Sequence, residues 1–323
     1  MTINTNPVLW LLAALVTTAA ADAIAATPIT AYPARPIRLV VPYGAGGNAD
    51  ILGRMVGGKI AEALGQSVVI DNRPGASGLM GSEIVARNSA PDGYTLLWVA
   101  NGHATNPGVV KKMPFDTMKD LASISLTSST PMLLVAHNGL PADNMKALIA
   151  YVKTRPGQIN YATSSNGSPN NLAGELLNHM AGIKLTHIAY KSTPQATTDV
   201  IGGHVQSAMA SLTSVLPHVR ANKLKALGTT GAKRSALAPD VPAIAETVPG
   251  YQAEIWNGLL APGATPRAII NRLNDVTVAA LKSADMRERY AAIGAEVRSS
   301  TPEEFDAFTR SEMNKWDKIL KTL

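Results

Sequence analysis

Two loops rich in glycine and serine carry the residues of this chain best suited to holding an anion. The first, Gly44-Ala45-Gly46-Gly47, separates an apolar run, Ile37-Arg38-Leu39-Val40-Val41-Pro42-Tyr43, from a segment in which Ile51, Leu52, Met55, Val56, Ile60, Ala63 and Leu64 recur at three- and four-residue steps. That spacing predicts a strand, a bare loop and a helix with one face buried against a sheet. The first N–H groups of such a helix have no partner within it and carry partial positive charge, and glycine lets a ligand approach the backbone closely. A carboxylate or phosphate fits there. The same plan returns about 120 residues later: Gln158 to Thr163, then Ser164-Ser165-Asn166-Gly167-Ser168-Pro169, then a helix with Leu172, Leu176, Leu177 and Met180 on one face. Pro169 suits the first helical position and Ser168 the cap before it. Two such helix ends behind two loops form a clamp for a small anion.

The elements that must position these loops alternate. Periodicity predicts β37–43, α49–64, β67–71, α80–88, β94–99, β131–136, α143–154, β158–163 and α170–181. Further on it predicts β184–189, α194–202, β204–210, α213–221, β223–229, β255–261, α266–283 and a terminal helix, 302–321. The alternation implies an α/β protein with mostly parallel sheets. Asn72-Arg73-Pro74-Gly75, Ala90-Pro91-Asp92-Gly93, Arg155-Pro156-Gly157 and Val248-Pro249-Gly250 punctuate it.

Composition, 46% hydrophobic and 16% charged over 323 residues, is that of a globular chain with room for two domains. Residues 1–25 read as a signal peptide: Val8 to Val16 is a nine-residue apolar core, followed by small residues and an A-x-A cut after Ala25. Nine apolar residues are too few to cross about 30 Å of hydrocarbon. There is no cysteine, which excludes both a lipid-anchored cleavage site and disulfides. The net charge of +6 suits an anionic ligand, and no Lys/Arg run of the nucleic-acid type is present. His103, His137, His179, His187, His204 and His218 show no metal-ligand spacing, and no G-x-S-x-G, H-E-x-x-H or G-x-x-x-x-G-K-[ST] motif occurs. A rival reading is a dinucleotide turn, Gly44-x-Gly46-x-x-Ala49 with Asp71 as the ribose acid, and hence an NAD(P)-dependent oxidoreductase. An exported protein meets no nicotinamide pool.

Beyond these motifs the chain, over residues 32–323, resembles the periplasmic substrate-binding proteins of tripartite tricarboxylate transporters, the Bug family. The resemblance rests on Tyr32-Pro33-x-Arg35-Pro36-Ile37-Arg38, Val41-Pro42-Tyr43-x-x-Gly46-Gly47-x-x-Asp50 with Arg54, and Val69-Ile70-Asp71-Asn72-Arg73-Pro74-Gly75-Ala76. Ala90 to Leu96, His103-Ala104-x-Asn106-Pro107, Lys111 to Asp116, Pro156-Gly157-x-Ile159-Asn160-Tyr161-Ala162 and Tyr190-Lys191 extend it. It implies a two-lobed periplasmic binding protein, type II-like in the manner of a Venus flytrap, each lobe a mainly parallel sheet flanked by helices. The implied lobes are 27–128 plus 252–323, and 129–251, joined by two crossing strands. The implied function is capture of an organic carboxylate for a separate membrane transporter, with no catalysis, no cofactor and no partner copy. The candidate ligand residues are Tyr43, Gly46, Gly47, Asn48 and Asp50 in the first loop, with His103 beyond the next strand. In the second lobe they are Ser164, Ser165, Asn166, Gly167, Ser168, Lys191, Ser211 and Thr213. Gln206 stands where an acid is usual in the family; facing the ligand, it would favour plain carboxylates over amino acids.

Overall fold

The computed structural model describes residues 32–163, 167–190 and 192–321; the expected signal peptide lies outside them. Strand β1 (Ile37–Val41) lies between β2 (Val68–Asn72) and β3 (Thr95–Ala100), parallel to both. Helix α1 (Asn48–Leu64) follows β1, α2 (Leu79–Asn88) follows β2, and α3 (Gly102–Val109) follows β3. The periodic residues Leu52, Val56 and Ile60 are fully buried, as the spacing requires.

The chain then enters β4 (Leu121–Ala136), sixteen residues that serve two sheets. Its first part, Leu121 to Pro131, runs antiparallel to β9 (Glu254–Pro262), which pairs on its other side with β3. Its last part, Met132 to Ala136, lies between β7 (Ser207–Ser211) and β8 (Lys225–Thr229), antiparallel to both. A second parallel group follows: β5 (Ile159–Thr163) between β7 and β6 (Leu185–Ala189). Helices α4 (Met145–Lys153), α5 (Pro169–Ala181), α6 (Thr193–Ile201) and α7 (Leu212–Arg220) cover this second sheet. The return path is β8 into β9, where the Ala253 N–H bonds the Thr230 carbonyl. The sheets are therefore mixed rather than mostly parallel, because strands that pass between lobes and return must run antiparallel to their neighbours.

Each sheet has a core on both faces. In the first, Leu52, Val56, Leu273 and Tyr290 lie under α1, α8 (Arg267–Leu281) and α9 (Ala284–Ala292), and Val85, Phe115 and Phe305 lie on the other face. In the second, Leu148, Tyr161 and Leu176 fill one face and Val200, Leu212 and Val215 the other. Helix α10 (Pro302–Leu320) belongs to both lobes: Phe305 enters the first core, whereas Trp316 and Ile319 enter the second. A two-residue strand, β10 (Glu296–Val297), adds to the outer edge of β4. Under α10 a cavity of about 460 Å³ opens at the crossing strands, walled by Glu254, Trp256, Arg298 and Glu312.

Candidate ligand-binding site

The two loops singled out in the sequence lie at the carboxyl ends of β1 and β5, and they are built alike. In the first lobe Gly46 is in the left-handed region (φ 78°), Gly47 caps α1, and the Gly46 N–H donates to the Asp50 carboxylate at 2.8 Å. In the second, 121 positions on, Gly167 is left-handed (φ 68°), Ser168 caps α5, and the Gly167 N–H donates to the Asn171 amide oxygen at 2.9 Å. Each loop is thus folded back onto the third residue of its own helix, a conformation open to glycine without a Cβ clash.

Asp50 is 2% exposed and its carboxylate is fully used. Besides the Gly46 N–H, it accepts from Arg54 Nε at 3.0 Å and from Asn72 Nδ2 at 2.9 Å. Asn72 also donates to the Tyr43 carbonyl at 3.0 Å and accepts from Arg54. Burial pushes the Asp50 carboxyl up, but the bonds from Arg54, Gly46 and Asn72 outweigh it and hold its pKa below the usual value. Asp50 therefore braces the loop, and the Gly46 N–H is turned toward it rather than toward the cleft. The N–H groups of Asn48, Ala49 and Asp50 precede the first helical bond, Ile51 N to Gly47 O, and make no bond among the described residues. They are the donors of this helix end.

In the second loop Ser168 Oγ accepts from the Asn171 N–H at 3.2 Å, a side-chain cap. Asn171 Nδ2 donates to the Tyr161 hydroxyl at 3.0 Å, and that hydroxyl donates to Glu175 Oε1 at 2.6 Å. Ser164, Ser165, Asn166 and Lys191 lie outside the described residues.

Tyr43 is half-buried, and its hydroxyl accepts from the Ala100 N–H at 3.1 Å. His103 sits in the first turn of α3 and is 8% exposed. Burial alone lowers its pKa to about 4, so the ring is neutral, and among the described residues it has no hydrogen-bond partner. Asn101 bolts this corner to the crossing strand, donating to the Glu254 carbonyl at 2.9 Å and accepting from the Trp256 N–H at 3.2 Å. Ser211 is the residue before α7, and its hydroxyl donates to the Ser214 hydroxyl at 2.9 Å. Thr213 packs on Gly294, in the turn before β10, where a Cβ would overlap it. It is a contact between lobes.

Gln206 is placed elsewhere. It precedes β7 and accepts from the Asn160 N–H at 3.0 Å. That is the amino end of the strand, about 16 Å along it from Ser211, so its identity carries no information on the ligand. Asp71, the acid of the dinucleotide reading, is bonded by Arg38 at 2.8 Å and by Arg73 at 2.9 Å. Its carboxylate is not open to a ribose.

A model of the tripartite tricarboxylate transporter family receptor matches residues 52–323. The chain belongs to this family. Among relatives, the Bordetella pertussis protein BugT is 35% identical over 301 residues, covering 92% of each chain. A Pseudomonas sp. (strain P51) protein from a tcbD-tcbE intergenic region is 32% identical, over 90% of this chain and 87% of its own. Among solved structures, a Rhodopseudomonas palustris protein with adipate is 34% identical with a TM-score of 0.73, covering 90% of this chain and 98% of its own. MatC of the same organism, with bound malate, is 29% identical with a TM-score of 0.70, over 90% and 100%. A TctC solute binding protein from Polaromonas, without ligand, is 26% identical and reaches 0.83, again over 90% and 100%. The receptor's fold is that of these periplasmic binding proteins. Its shape follows the empty relative more closely than the two filled ones, although those are nearer in sequence.

Proposed function

We propose that this protein is a periplasmic receptor that captures an organic carboxylate between its lobes and passes it to a separate membrane transporter of the tripartite tricarboxylate type. The observation that carries this is the matched pair of loops, each a left-handed glycine before a helix end, one per lobe. Adipate and malate in two relatives support the ligand class. In this reading residues 1–25 are removed on export, the lobes are 27–128 plus 252–323 and 129–251, and the protein works as a monomer. One carboxylate sits on the N–H groups of Asn48, Ala49 and Asp50, and closure brings the Gly167–Ser168 end of α5 onto it. Ser168 holds that end of α5 in place by accepting from the Asn171 N–H. In this reading the protein binds and releases its ligand unchanged, as the match to a family of transporter receptors supports. Its described helices include none long and apolar enough to cross a membrane.

Calorimetric titration with aliphatic and aromatic mono-, di- and tricarboxylates tests the proposal. Saturable binding of at least one carboxylate, without turnover, is expected. Binding of sugars or cations with no carboxylate bound would sink it, and a thermal shift with NAD would favour the oxidoreductase.

A further inference from the structure

We propose that Glu175 and Tyr161 are positioning residues of the ligand site: acting through Asn171, they decide which end of its amide faces Gly167 and so hold the second loop in its binding shape. The inference rests on the carboxylate reading above for what the loop holds, and adds how the loop is set. The two lobes brace their loops with different chemistry at matching positions. In the first, Asp50 accepts from the Gly46 N–H, and Arg54, four residues on, holds Asp50. In the second, 121 positions along, Asn171 accepts from the Gly167 N–H, and four residues on stands Glu175, an acid where the first lobe has a base. A carboxylate presents acceptors at both oxygens, so Asp50 needs no orienting. An amide has one accepting and one donating end, and turned the wrong way Asn171 would set its NH2 against the Gly167 N–H. An amide adds no negative charge beside the anion, but its orientation must come from elsewhere.

It comes from the backbone of β6. Asn178 accepts from the Leu185 N–H at 2.8 Å and donates to the Leu185 carbonyl at 3.0 Å, which fixes its own amide, and its Nδ2 also donates to Glu175 Oε2 at 3.3 Å. Glu175 Oε1 accepts from the Tyr161 hydroxyl at 2.6 Å. That hydroxyl has one hydrogen and a second acceptor at hand, the Asn171 carbonyl at 3.2 Å; the shorter bond, to a carboxylate, takes it. Burial and the nearby Glu175 push the Tyr161 pKa well above its usual value, so the hydroxyl keeps the hydrogen it donates. Its oxygen is left to accept, and does so from Asn171 Nδ2 at 3.0 Å, which turns Oδ1 to Gly167. The ring is locked into this line, since Tyr161 is fully buried and a Cβ on Gly174 would overlap it. Glycine weakens a helix interior; here, in the middle of α5, it leaves room for the ring.

Amide exchange measured by NMR on the purified, empty protein tests this. Gly167 reports the relay, and the Leu172 N–H, bonded to the Ser168 carbonyl at 2.9 Å in the first turn of α5, reports the helix itself. Tyr161→Phe removes the hydroxyl; Glu175→Gln, its amide set by Asn178, turns a donor toward Tyr161 and sends the hydroxyl hydrogen to Asn171. Each should speed Gly167 exchange about fivefold or more, as loss of one hydrogen bond does, with Leu172 within about twofold. Adding Asn171→Asp to Glu175→Gln supplies an acceptor at both ends and should restore Gly167. Titration of the same variants with malate and adipate, the acids held by two relatives, reads the ligand site: whichever the wild type binds should bind each single variant about fivefold more weakly or worse. Unchanged Gly167 exchange in either single variant, equal loss at Gly167 and Leu172, or no recovery with Asn171→Asp overturns the relay. Lost Gly167 protection with wild-type affinity overturns its bearing on the ligand. Failure of every carboxylate to bind the wild type overturns the reading of the site, while exchange still decides the relay.

Discussion

Asp50, Ser168 and His103 show how differently three residues near one site are used. Asp50→Ala removes acceptors for three donors at once and should cost about 2–3 kcal/mol, read as a shift in urea midpoint. Because the folded-state pKa of Asp50 lies below its ordinary value of 3.8, its contribution is complete above that pH and is lost as pH falls further. The gap between wild type and variant should narrow only below about pH 4. His103 acts in another window. Its folded pKa of about 4 lies below the ordinary 6.5, so the unfolded chain takes up the proton first, and stability present above 6.5 drains away as pH falls toward 4. His103→Asn should flatten the stability curve in that interval; an unchanged slope would show that the ring is not buried neutral. Ser168→Ala should lower stability by about 0.5–2 kcal/mol, the cost of a lost cap, read as a shift in the unfolding midpoint of the empty protein. At this scale the sequence was readable for the glycines and the cap, whose conformational needs are local. It was not readable for the bracing role of Asp50, since its partner Asn72 meets it only after β2 is laid beside β1.

Elements with one apolar face were legible and those without were not. Residues 121–130, Leu-Ala-Ser-Ile-Ser-Leu-Thr-Ser-Ser-Thr, gave no strand pattern because their polar positions are buried too. Ser125 donates to the Ser300 carbonyl, Thr127 to the Asn257 carbonyl and Ser128 to the Asn257 side chain. Hydroxyls satisfied across strands replace the usual alternation of apolar and polar residues. Helix α3 was hidden by Pro107 inside it, and α9 by its charge, with Met286 and Tyr290 its only buried residues. The union of β9 and α10 depends on a missing side chain: a Cβ on Gly258 would run into the Phe305 ring, which is stacked edge-on to Trp256. Gly258→Ala should therefore destabilise the protein by about 1–3 kcal/mol, the range for overpacking. A melting temperature equal to wild type would mean that α10 can lift off the sheet at no cost.

For the whole molecule, the proposed capture of an anion between two lobes predicts exchange between open and closed arrangements, with ligand favouring the closed one. Saturation with a bound carboxylate should reduce the radius of gyration in small-angle scattering, and an unchanged profile would count against closure. The repeat of strand, loop and helix exposed the two-fold plan in the sequence, but the division of β4 between two sheets could not be read there. A strand that changes partners halfway keeps one unbroken backbone pattern. Helix α10 spans the same junction, and its Glu312 receives indole N–H groups from Trp316 on the helix at 3.0 Å and from Trp256 on the crossing strand at 3.3 Å. Of the four tryptophans, Trp10 falls in the expected leader and Trp98 is sealed in the first core, so these two dominate any change in ultraviolet emission at the junction. A carboxylate held between two indoles is a built-in optical gauge, and a shift in tryptophan fluorescence on titration would report lobe movement without a label.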